Sequence, residues 1–137
     1  MPIKTTLLRE SRVLLLRYTD PFNATETLAN LDRLIREIYA PAKNPIHSIS
    51  DFTALTQIRL TMLSDGIRIL RRTIPNSGLM TLITSSPVAN GIANTLAQVL
   101  INQNVFVYHS LDAAWSAIDA LLAMENNATA SKSGSAS

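Results

Sequence analysis

Cysteine is missing from the 137-residue chain, which excludes a disulfide scaffold, a thiolate zinc site and a cysteine-ligated iron–sulfur cluster. Glycine is scarce at 4 residues, too few for a fibrous repeat, and aromatic residues make up only 5%. Charge is also thin, with 16% charged residues and a formal net charge of +2. A nucleic-acid surface needs a concentrated phosphate-neutralising footprint, and the one basic cluster is Arg68, Arg71 and Arg72, with Arg59 a little earlier. Nucleic acid is therefore not an expected partner. No apolar run reaches the ~18 residues of a membrane span. The opening MPIKTTLLRESRVLLLRYTD interrupts its apolar residues with charges before the ~7–15-residue run of a signal peptide. A cytoplasmic protein with no transmembrane segment is expected.

What is present is 47% hydrophobic residues, enough for one compact domain over residues 1–125, followed by a low-complexity tail, 126–137, expected to be disordered. Residues 3–9 and 12–18 read as two strands joined by a two-residue hairpin at Glu10 and Ser11. Asn23 with Glu26 forms an approximate capping box for a helix that stops at Pro41. IHSISDF (46–52) alternates as a strand, and 56–72 carries Leu60, Leu63, Ile67 and Leu70 on one helical stripe. LMTLIT (79–84) is the next strand. Ser85-Ser86-Pro87 opens a helix over 87–102, expected to bury Val88, Ile92, Leu96, Val99 and Leu100. VFVYH (105–109) is the last strand, and Ser110 caps a final helix holding Leu111, Trp115 and Ile118.

The order β-β-α-β-α-β-α-β-α predicts an α/β fold with a mostly parallel sheet and one antiparallel edge strand. Right-handed crossovers are expected to place helices on both faces, with the strand order left open.

Across about residues 3–124 this succession resembles the STAS fold of anti-sigma-factor antagonists, specifically the SpoIIAA-like group, which overlaps in description with small lipid-binding domains. The local resemblance lies in HSISDFTAL, where a strand ends in Asp51-Phe52-Thr53, and in VYHSLDAAWSAI, where the last strand enters a helix beginning Ser110-Leu111-Asp112. The resemblance implies a domain that works by binding. In phosphorylatable members, the loop after the third strand carries Asp-Ser-Ser-Gly, whose second serine accepts phosphate. Here Arg59-Leu60-Thr61-Met62 stands there, leaving only the Thr61 hydroxyl, so the usual phosphoacceptor switch is missing.

Ligands of open α/β sheets sit at the carboxyl ends of the parallel strands, and those ends present Asp20, Asp51, Thr53, Ser85, Ser86, His109 and Ser110. Ser85 and Ser86 could hold an anion at a helix N-terminus, although an ordinary N-cap is the commoner role. Asp51 and His109 could act as orienter and base if their strand ends adjoin, against the plainer reading of a strand-end histidine. His47 and His109 lack metal-ligand spacing, and GxSxG and GxxxxGK[ST] are absent, so neither a metal nor a cofactor is implied.

The expected function is a non-enzymatic module that binds a protein partner through Asp51, Thr53, Arg59, Thr61 and helix 56–72, with Arg68, Arg71 and Arg72 available to an acidic partner. A homodimer is also open to it, because a first strand at the sheet edge offers unpaired backbone groups. The alternative is a small-ligand or lipid carrier or sensor with a cavity beneath helix 56–72. A hydrolase-type enzyme using Asp51 and His109 is the third reading.

Overall fold

In a computed structural model, residues 3–100 and 104–135 are described, with side chains as far as Asn127. The elements are β1 (Ile3–Leu8), β2 (Val13–Tyr18), α1 (Ala24–Leu34, continued by a π turn over Ile35–Tyr39), β3 (Ile46–Asp51), α2 (Thr61–Leu70), β4 (Ser77–Ile83), α3 (Pro87–Val99), β5 (Val105–Tyr108) and α4 (Leu111–Ser135). The five strands lie in the order β1-β2-β3-β4-β5; β1 runs antiparallel to β2 and the others are parallel neighbours. This is the expected α/β class with one antiparallel edge.

Side chains alternate along each strand and so feed two cores. Leu14, Leu16 and Tyr18 of β2 pack with Leu34 and Tyr39 of the first helical segment, while Met80, Leu82 and Val105 meet Ala93 and Leu96 of α3. Met62 of α2 joins the first group and Leu63, Ile67 and Leu70 join the second. Val13, Leu15, Ile49 and Ile83 point the other way and pack on Ala114 and Ile118 of α4. All three crossover helices thus share one face, and α4 covers the other. Stepping repeatedly to the next neighbour with one crossover hand returns each helix to the same side. Helices do cover both faces as expected, but the second is covered by the terminal helix rather than by crossovers.

Local expectations fail where polar side chains or small residues intervene. The hairpin is a four-residue connection, Arg9 to Arg12, with Arg9, Glu10 and Ser11 all at positive φ (52, 56 and 66°). The helix expected from 56 begins at Thr61, because Asp20 accepts from the backbone N–H of Thr56 and Gln57, and Asp51 from that of Thr53. Such side-chain bonds compete with helical ones. Leu60 lies outside the helix and is 77% exposed. On α3 the buried face is Ala89, Ala93 and Leu96, while Val88 and Val99 are exposed: alanines let the helix approach the sheet closely, which a stripe read by side-chain size overlooks. Asn102 and Gln103, taken as the helix's end, lie outside the described residues. α4 continues through Ser135, into the stretch that composition sets apart.

Candidate functional site

The carboxyl ends of β2, β3 and β4 open onto an apolar cavity of about 90 Å³ beneath α2. The strands contribute Tyr18, Ser50 and Leu82 to its wall, and Thr84 follows directly on β4. The helices contribute Met62, Gly66, Ile69, Ala89, Ala93 and Leu96, and the connecting segments Phe22, Phe52 and Ile58. Small residues on α2 and α3 make the space: Gly66 stands so close to α3 that a Cβ there would lie 2.8 Å from Leu96 Cδ1. Tyr18 stacks on Phe52 with ring centroids 4.6 Å apart.

The few polar groups in this wall are already engaged. Thr27 Oγ1 donates to the Asn23 carbonyl at 2.8 Å, and Thr84 Oγ1 to Asn90 Oδ1 at 3.3 Å. Burial pushes the Tyr18 hydroxyl up to about 12, moderated by its hydrogen bond with Ser50, so it stays neutral. A wall of this kind suits an apolar occupant.

Two carboxylates shape the segment over the cavity. Asp51 Oδ1 accepts from both the backbone N–H (2.9 Å) and the hydroxyl (2.7 Å) of Thr53. Asp20 accepts from the Thr56 backbone N–H (3.0 Å), its hydroxyl, and the Gln57 N–H (3.2 Å). Those bonds, the hydroxyl's foremost, hold the Asp20 carboxyl below its ordinary range. Ile58 and Met62 line the cavity, and the exposed Leu60 sits between them in sequence.

The other sequence-predicted residues are scattered. Ser86 Oγ accepts from Ala89 N–H and Ser110 Oγ from Ala113 N–H, each at 3.1 Å, so both are helix caps; Ser85 is exposed. Asp51 and His109 are not neighbours: Asp51 pairs with Ile83 of β4, which pairs with Tyr108 of β5. One strand stands between them, about 10 Å from β3 to β5 at ~4.8 Å per spacing. That removes the condition on which the acid–base reading rested. Thr61 and Arg59 are exposed at the start of α2. Arg68 pairs with Asp65 at 3.7 Å and Arg72 with Asp32, so the basic patch is partly neutralised within the molecule, while Arg71 is exposed.

The opposite end of the sheet holds a cluster that sequence reasoning missed. His47, 1% exposed on the central strand, accepts the Leu79 N–H at Nδ1 (2.9 Å). The neutral ring therefore carries its proton on Nε2, which faces Glu125 Oε1 of α4 at 3.2 Å. Arg12 Nη2 reaches Glu125 Oε2 at 2.5 Å. No local pattern announces partners 78 and 113 positions apart. Among the described residues no helix is long and apolar enough to cross a membrane, and no group of three or more metal-ligating side chains gathers. Compared with protein-family models, with curated proteins and with solved structures, the chain finds no match in any of the three.

Proposed function

We propose that the chain is a non-enzymatic, cytoplasmic, STAS-like module that binds a protein partner through the segment Asp51–Thr61 and α2, and does so without a phosphoacceptor serine. The observation carrying this reading is the cavity's size and chemistry. Small-molecule sites enclose ~300–1,000 Å³. A space of about 90 Å³ with satisfied polar groups suits a single apolar side chain instead. Protein interfaces concentrate their binding energy in such pocketed anchors. The exposed Leu60, flanked by Arg59 and Thr61, supplies apolar contact area beside the cavity's Ile58 and Met62.

The second reading, a small-ligand or lipid carrier or sensor, is favoured by the apolar walls but requires the 52–60 segment to move aside. The two readings are separated by capture from lysate with the wild-type chain, Ala93→Leu, which fills the cavity, and Leu60→Asp, which charges its approach. Loss of the same captured protein in both variants, with unchanged melting temperature, supports the anchor pocket. A small molecule retained by the wild type in native mass spectrometry and expelled by Ala93→Leu establishes the carrier instead.

A further inference from the structure

The edge strand β1 is its own best complement, and we propose that two copies of the chain pair their β1 strands antiparallel about a two-fold axis at Thr5. Among the described residues β1 has β2 as its only neighbour in the sheet, so half of its backbone N–H and C=O groups face outward. Natural edges are usually blunted by proline, bulges or several charges. β1 has none of the first two: its register with β2 runs unbroken from Ile3↔Tyr18 to Leu8↔Val13, and Lys4 is its one charged residue. The other edge, β5, has 4 residues against 6.

The register follows from the faces. Ile3, Thr5 and Leu7 lie opposite Tyr18, Leu16 and Leu14, on the side of the sheet that carries the crossover helices; Lys4, Thr6 and Leu8 lie on the α4 side. A continuous sheet sets same-face residues opposite one another. With Thr5 on the axis, Ile3 of one copy meets Leu7 of the other, and Lys4 meets Thr6. Leu7, 39% exposed, is then covered by an apolar side chain. With Lys4 on the axis, two ammonium groups would oppose each other, which is destabilising. With Thr6 on the axis, Leu7 faces Thr5, Lys4 faces Leu8 and Ile3 is unpaired. Axes at Thr5 and Thr6 pair five residues of each β1, more than any other same-face axis within Ile3–Leu8, and of these two only the Thr5 axis joins apolar to apolar. An isologous pairing of this kind closes as a dimer with one ten-stranded sheet.

The test uses the full chain, whose lack of cysteine makes Thr5→Cys its sole thiol. Directly opposed antiparallel residues have Cα atoms ~4.5–5.5 Å apart, inside the ~4.4–6.8 Å range of disulfides. Sedimentation velocity over a concentration series is expected to show a monomer–dimer equilibrium weakened roughly tenfold or more by Leu7→Lys. Mild oxidation is expected to cross-link Thr5→Cys well ahead of Thr6→Cys and of Phe106→Cys on β5. A chain monomeric at its highest soluble concentration, a dimer indifferent to Leu7→Lys, or faster cross-linking at position 6 or 106 overturns the proposal. Because β1 contributes nothing to the cavity wall, either outcome leaves the partner-binding reading to its own test.

Discussion

The imidazole of His47 fills the space that a side chain on Gly78 would need: a Cβ there would lie 2.3 Å from Nδ1 and 2.6 Å from Cε1. The ring cannot move away, since Nδ1 accepts the Leu79 N–H and the residue is enclosed between sheet and α4. Gly78→Ala is therefore expected to destabilise the fold by about 1–3 kcal/mol, the usual cost of overpacking, measured by urea unfolding. An unchanged midpoint would show that the ring is free to shift.

Gly66→Ala is expected to behave oppositely. Its Cβ would meet the end of the Leu96 side chain, which itself borders the cavity and has space to turn into. Alanine gains up to ~1 kcal/mol of helix propensity over glycine, so the midpoint is expected to stay level or rise. A loss resembling that of Gly78→Ala would mean that the cavity cannot accept Leu96.

Burial holds the pKa of His47 below its ordinary 6.5; Glu125 pulls it up and Arg12 pushes it down, without reversing the direction. The unfolded chain then takes up a proton near 6.5 that the folded chain refuses, so stability falls as pH drops below that value. Denaturation midpoints at pH 7.5 and 5.5 measure the loss. His47→Asn, which keeps an acceptor for Leu79 N–H, is expected to flatten the dependence in that interval.

Asp20→Ala removes the acceptor for Thr56 and Gln57. Faster amide exchange at those residues is expected, with the β3 and β4 amides unchanged. In the wild type the same release is expected at acid pH, because a carboxyl with a lowered pKa contributes stability above its unfolded value and loses it as pH falls through the folded one. Exchange at Thr56 that ignores both the substitution and acid would mean that Asp20 does not hold the segment.

Ser86→Ala deletes the side-chain acceptor at the start of α3, and Asn23→Ala that at the start of α1. Each is expected to cost about 1 kcal/mol in thermal or urea unfolding. The two helices share no cap partner, so the double variant is expected to lose the sum.

Much of this molecule was legible from local chemistry. Asn23, Ser86 and Ser110 cap helices because a short polar side chain reaches a backbone N–H three residues on, a relation that sequence spacing fully contains. The alternation of apolar strands and periodic helices likewise carries the α/β class and the order of its elements, since burial on one side of a helix or strand imposes its period. The 56–60 stretch misled because its apolar spacing is helical, whereas the Asp20 that diverts its backbone lies 36 positions away.

Strand order was beyond the sequence because neighbours in a sheet are chosen by long-range pairing. That order alone places β4 between Asp51 and His109, gathers three helices on one face and leaves β1 at an edge of the sheet. The cavity has the same origin: Gly66 and Ala93 are unremarkable in their own helices and create space only where α2 and α3 meet above the sheet. Composition and periodicity thus determined the elements and their caps, which depend on contacts within a turn or two. Tertiary packing decided which polar groups meet, which edge stays open and where the interior stays unfilled, because those outcomes depend on residues far apart in the chain.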